Sequence, residues 1–147
     1  MKITICGSIA FFDEMTGVKK DLELLGHEVK LPPVEIPNEQ GEMISIKEYY
    51  RQRKESKTEI GWIWDRKEWA IRTHFDKVAW ADVVLILNYT KNDIENYIGG
   101  NTFLEMGVAF YLKKPIYLLN PIPETSIKEE VLGMKAIVIN GDLSKIV

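Results

Sequence analysis

The segment Asn96-Tyr97-Ile98-Gly99-Gly100-Asn101-Thr102-Phe103-Leu104-Glu105-Met106-Gly107-Val108-Ala109 joins a double glycine, a polar cap and a single carboxylate at the start of a helical pattern. It follows the apolar run Val83-Val84-Leu85-Ile86-Leu87, which reads as a buried parallel strand. Ligands of open α/β sheets bind in the crevice at the carboxyl ends of the strands. Glu105 is therefore expected on the first helical turn, facing a pocket, with the positive end of the helix favouring its ionised form. A carboxylate held there suits nucleophilic or electrostatic work on a sugar carbon. Thr102-x-x-Glu105 also matches a capping box, in which Glu105 only reaches back to the Thr102 amide, and one side chain can serve both purposes.

Gly7-Ser8-Ile9, after the first strand, offers backbone amides that could cradle an anion, or forms only a tight turn. The loop after the Val83–Leu87 run begins with Asn88 and Tyr89, so three loops at strand carboxyl ends are expected to border one crevice: Gly7 to Ile9, Asn88 with Tyr89, and Gly99 to Glu105. His74 falls in the helix preceding Val83, as a solvated or core residue unless it points at Glu105 across the pocket. Trp62, Trp64, Trp69 and Trp80 cluster mid-chain, suited to core or subunit-interface packing and also to stacking a nucleobase. Arg51-Gln52-Arg53-Lys54 reads as a solvated helix face.

The elements that must position these residues alternate along the chain. Ile3 to Cys6 is a strand, Met15, Val18, Leu22 and Leu25 recur at helical spacing, and Gly26 is placed to stop that helix. His27 to Leu31 is a second strand, closed by Pro32-Pro33. Residues 34 to 64 are expected to run as an excursion over the surface, with a short helix at Ile46 to Arg51. Asp65 and Glu68 suggest a capping box opening a helix to about Trp80. Asp82 to Leu87, Ile116 to Leu119 and Ala136 to Ile139 supply strands three to five, with helices at 102 to 112 and 126 to 133. This alternation predicts an α/β, single-domain, flavodoxin/Rossmann-like parallel five-stranded sheet of order 2-1-3-4-5, spanning residues 1 to 147.

Composition narrows the function classes. The 147 residues are 46% hydrophobic, enough for one domain with a core of its own. A formal net charge of −3 with interspersed signs gives no basic footprint for nucleic acid and favours a small-molecule ligand. The single Cys6 excludes an internal disulfide, and with His27 and His74 far apart no structural zinc spacing appears, so no metal or other cofactor is expected. No apolar run reaches the ~20 residues of a membrane span, and a cytoplasmic location is expected.

Ile5-Cys6-Gly7-Ser8-Ile9, Ala81-Asp82-Val83-Val84 and the Gly100 to Ala109 segment together resemble the nucleoside 2-deoxyribosyltransferase superfamily, which includes 2′-deoxynucleoside 5′-phosphate N-hydrolases. The third block is similar to that family's Gly-x-x-x-Glu-x-Gly-x-Ala segment, and the resemblance implies that Glu105 is a nucleophile. Two positions depart from the pattern. Where the family carries an assisting aspartate, eight residues before Asp82, this chain has His74, able to donate a proton or hydrogen bond but not to act as that carboxylate. Where the phosphohydrolase branch has an arginine after Gly-Ser-Ile, this chain has Ala10, which implies a weaker grip on a 5′-phosphate. The glycine pair is also similar to the Pro-Gly-Gly-x-Gly-Thr-x-x-Glu signature of phosphoribohydrolases that release bases from nucleoside monophosphates, though one residue short and lacking the proline.

These readings converge on an enzyme breaking or transferring an N-glycosidic bond of a nucleoside or nucleotide, with Glu105 and His74 catalytic and Gly7, Ser8, Ile9, Asn88, Tyr89, Gly99, Gly100, Asn101 and Thr102 binding substrate. A nucleoside-binding module without turnover is the rival, and a structural or interaction protein resting on the aromatic middle segment a third reading. A homodimer or higher homo-oligomer is expected, because Ile44, Ile46, Tyr49, Tyr50, Trp62 and Trp64 load the 34 to 64 excursion with apolar surface.

Overall fold

The computed structural model describes all 147 residues. Five parallel strands form the central sheet: β1 (Lys2–Gly7), β2 (Glu28–Lys30), β5 (Val83–Leu87), β6 (Ile116–Leu118) and β7 (Ile137–Val138), in the order β2-β1-β5-β6-β7. In chain order these are the five strands read from the sequence, in the spatial order 2-1-3-4-5. Ile3 pairs with Val83 and Gly7 with Leu87, so the ends of β1 and β5 are level. All of Val83 to Leu87 is buried, as a strand covered on both faces requires.

Alternation along β1 separates two cores. Ile3 and Ile5 pack with Met15 and Leu22 of α1 (Phe12–Leu24) and with Leu85 and Leu87. Cys6 points the other way, with Val84 and Ile86, toward Val78 of α3 (Trp62–Trp80) and Met106 and Ala109 of α4 (Gly100–Tyr111). Leu25, expected on the buried face of α1, is 54% exposed. Gly26, at φ 91°, ends that helix in the left-handed region, where glycine costs least.

The 34 to 64 excursion is more ordered than its polar composition suggested. β3 (Glu35–Pro37) and β4 (Met43–Ser45) form an antiparallel hairpin, followed by α2 (Ile46–Glu55). The Ser45 side chain caps α2 by accepting from the Glu48 amide. A third core of Ile36, Ile46, Tyr49 and Ile63 docks the insertion on α3, and the Tyr49 hydroxyl donates to the Ile63 carbonyl at 2.5 Å. Of the six apolar residues expected on its surface only Trp64 is exposed, so this segment does not present the patch from which association was inferred.

Two helix starts also differ from the sequence reading. α3 begins at Trp62 rather than at the Asp65 capping box, with Gly61 at φ 104° before it. α4 begins at Gly100, so Glu105 is on its second turn and Thr102 is no cap. The remaining helix, α5 (Lys128–Gly133), buries its Val131 in the core that holds Ile116 and Leu118. No helix is long and apolar enough to cross a membrane.

Candidate active site

A pocket of about 550 Å³, partly open to solvent, lies at the carboxyl end of β1. Its floor is built by the sheet and its two flanking helices: Gly7 from β1, His74 from α3, Asn101 and Glu105 from α4. Ile71 and Phe75 of α3 make one apolar side, Pro32 and Pro33 after β2 another, and Ile46 and Tyr50 of the insertion a third. Apolar walls around a few converging polar groups are the usual form of a small-molecule site.

Gly7 is required where it stands. A Cβ there would lie 2.9 Å from Met15 Cε and 3.0 Å from the Leu87 carbonyl oxygen, so no other residue leaves the floor between β1 and β5 undisturbed. Gly100 has no such requirement, since a Cβ would meet nothing within 4 Å, and Gly99 faces only the movable Tyr97 side chain. Protein packing therefore does not require the double glycine.

Glu105 is 8% exposed and His74 3%, and Glu105 Oε2 lies 3.6 Å from His74 Nε2. Neither His74 ring nitrogen makes a well-formed hydrogen bond, so it is neither the solvated nor the satisfied core histidine that a lone helical His ordinarily is. The Cys6 thiol completes a buried group of three whose polar atoms all lie within 4.8 Å of one another. Burial pushes the Glu105 carboxyl up to about 8, with the Cys6 thiol and the Lys67 ammonium pulling it back only in part. The helix end was expected to favour the ionised form; desolvation outweighs it. Burial likewise lowers His74 to about 3, with Lys77 adding in the same direction and the Ile5 backbone opposing weakly. At neutral pH the proton of this pair therefore rests on Glu105, and the imidazole is neutral.

Lys67 is lowered to about 8 by burial and by Arg53, and its Nζ is 3.5 Å from the Tyr50 hydroxyl. Arg53 lies 4.2 Å over the Tyr50 ring, so Arg51 to Lys54 is not wholly a solvated face. Tyr50, with Arg53 and Lys67 at 4.2 and 5.3 Å from its ring, lines the pocket.

The structure brings Gly7, Ile9, His74, Asn101 and Glu105 to one pocket and leaves six of the expected residues outside its lining. Ser8 caps a short 3-10 turn, accepting from the Ala10 amide at 3.3 Å and from Lys91 Nζ at 2.9 Å. Asn88 is fully buried: its amide donates to the Asn120 and Pro121 carbonyls at 3.0 and 2.9 Å and accepts from the Asn120 amide at 2.8 Å. Tyr89 packs edge-on against Phe11 at 5.3 Å. Gly99, Gly100 and Thr102 shape the start of α4 behind the pocket. None of the four tryptophans lines the pocket, and Trp80 instead receives Lys30 at 4.0 Å.

Sequence reasoning missed Cys6, Tyr50, Lys67, Ile71 and Phe75. For Ile71 and Phe75 the signal was available, since both flank His74 on one helical face at spacings of three and one. Period-two alternation could likewise have put Cys6 on the face opposite Ile5. Nothing local in the sequence says that Tyr50 returns to the sheet.

No family model matches the chain, and no curated protein does. Among solved structures it is similar to a 2-deoxyribosyltransferase of Bacillus psychrosaccharolyticus, a biocatalyst for nucleoside synthesis, with a TM-score of 0.50 and 19% identity over 80% of this chain and 71% of that one. A CMP N-glycosidase of Clostridium botulinum superposes with a TM-score of 0.47 and 13% identity over 95% of this chain and 90% of that one. At such identities the likeness is one of fold: this chain shares the fold of the deoxyribosyltransferase.

Proposed function

We propose that this protein cleaves or transfers the N-glycosidic bond of a nucleoside or nucleotide, with Glu105 as nucleophile. The observation that carries the reading is the buried Glu105 carboxyl facing the His74 imidazole at 3.6 Å on the floor of an apolar pocket. The deoxyribosyltransferase fold and the family-like segment around Glu105 support the same reaction class.

In the proposed reaction the ionised Glu105 oxygen bonds to the anomeric carbon as the carbon–nitrogen bond breaks, and the base leaves with the electron pair and takes up a proton from water. Water, or a second base, then attacks the glycosyl ester and frees the carboxylate. Glu105 gives its proton to solvent before it attacks, and the neutral His74 imidazole, too weak a base to hold that proton, can donate a hydrogen bond to the carboxylate that forms. Cationic character on the sugar and the nearby Lys67 both favour the ionised carboxylate in a site where burial disfavours it. Tyr50 and Phe75 are the aromatic surfaces available to the base.

The binding-only reading draws on one observation, the proton that Glu105 retains at neutral pH. Incubation with a panel of nucleosides and their 5′-monophosphates, with and without a second base, followed by chromatography of released base, separates the two. Base release supports the reaction, and saturable binding with no release supports the module.

The proposed homodimer uses a different surface from the excursion. Leu104 and Tyr111 are exposed on α4 and Val108 is half-buried, a stripe at spacings of four and three that begins at the pocket mouth.

A further inference from the structure

Cys6, His74 and Glu105 come from β1, α3 and α4, which meet only in the folded chain. Each is buried, and each contributes one atom to a cluster no more than 4.8 Å across. Thiolate, imidazole and carboxylate are the three donor types that bind Zn²⁺, and three protein donors with one side open to a pocket is the arrangement of a reactive rather than a closed site. The second observation is independent of the cluster's composition: neither nitrogen of the buried His74 ring makes a well-formed hydrogen bond, the Ile5 backbone offering only a weak contact, and Nε2 faces Glu105. A buried polar atom left so costs stability, which a bound cation would recover.

We infer that Cys6 Sγ, His74 Nε2 and a Glu105 carboxylate oxygen form a binding site for a thiophilic divalent cation of the Zn²⁺ class, with its fourth position toward the pocket. The 3.6 Å between Nε2 and Oε2 is close to the separation of two donors around a tetrahedral ion with bonds of about 2.1 Å. The widest separation, up to 4.8 Å, must shorten by about 1 Å, and because Glu105 is close to both other groups this requires the Cys6 and His74 side chains to move toward each other. Binding displaces the Cys6 thiol proton and the Glu105 carboxyl proton to solvent, so affinity rises with pH. Sequence spacing shows no such site because no two of the ligands are near in the chain.

The test is titration of chelator-treated protein with Co²⁺ under anaerobic conditions. One equivalent should give a thiolate-to-cobalt charge-transfer band and the intense visible absorption of a four-coordinate ion, both bleached by Zn²⁺. Cys6→Ser should lose the charge-transfer band. His74→Gln should weaken Co²⁺ binding at least as much as the 10- to 100-fold that loss of an outer-shell partner costs. A wild-type protein without the charge-transfer band, or a band that survives Cys6→Ser, overturns the inference, and the wild-type result decides alone should the variants not fold. The further consequence that Zn²⁺ suppresses base release, by taking the Glu105 carboxylate, rests on the proposed reaction. A cobalt spectrum without base release under any condition upholds the metal site and refutes the reaction, while base release without the spectrum does the reverse.

Discussion

His74 and Glu105 face each other at 3.6 Å across a space that contains no hydrogen-bond partner for the imidazole, and burial shifts the two in opposite directions, to about 3 and about 8. The pair is thus neutral in the resting protein and becomes charged only when Glu105 gives up its proton.

A rise in base release with pH follows for the chelator-treated protein. With Glu105 needed as the carboxylate and its pKa near 8, kcat/KM on an uncharged nucleoside should climb about tenfold per pH unit below 8 and level off above it. Glu105→Gln should abolish release at every pH while leaving binding of the nucleoside measurable by calorimetry. Turnover in that variant would remove Glu105 from the reaction.

Stability carries the same signature with its own sign. Between the ordinary carboxyl value of 4.5 and about 8, the unfolded chain has lost a proton that folded Glu105 keeps, so this group's contribution falls as pH rises through that window. Thermal melts of Glu105→Gln against wild type should therefore show an advantage that widens from pH 5 to 8. His74 acts oppositely: between 6.5 and about 3 the unfolded chain binds a proton that the folded one does not, so its contribution is lost on acidification. His74→Gln should blunt the acid-side loss.

The glycines separate by the space around them. Gly7→Ala should destabilise by about 1–3 kcal/mol, because Met15 and the Leu87 carbonyl must give way. Gly100→Ala should be neutral or stabilise by up to about 1 kcal/mol, since it meets nothing and favours the helix. Chemical denaturation of the two variants checks both.

Asn88→Ala should cost about 1–3 kcal/mol, by leaving the Asn120 amide and two carbonyls of the neighbouring loop without their partner. Its effect on base release should be small beside that of Glu105→Gln, as a residue outside the pocket lining would show.

Light scattering tests association: a dimer mass for wild type that falls to a monomer with Tyr111→Lys supports the α4 stripe, and a monomer mass for wild type ends the proposal.

The sheet was legible because its strands are apolar runs punctuated by glycine and proline, a pattern that burial on both faces imposes. The floor of the site followed from it, since Gly7 and Glu105 sit where strand ends meet helix starts. What could not be read was the side wall. Tyr49 and Ile46 are spaced as any amphipathic helix spaces its apolar residues, and only tertiary packing on Ile63 turns Tyr50 toward the pocket. Asn88 misled for a related reason: a polar residue at a strand end serves a ligand or a neighbouring loop equally well, and here the loop claims every polar atom of its side chain. The ionisation of Glu105 was misjudged because a helix end is visible in a sequence and depth of burial is not.

The wall and the floor answer to different parts of the chain. Gly7, His74 and Glu105 are fixed by the sheet and its two covering helices, whereas Ile46 and Tyr50 arrive on an insertion held by its small core, the Tyr49 to Ile63 hydrogen bond and the Arg66 guanidinium donating to the Pro37 and Asn38 carbonyls. In the proposed reaction recognition and bond breaking are therefore separable by surgery: replacing the 34 to 60 segment should exchange what the protein selects without redrawing the chemistry beneath it.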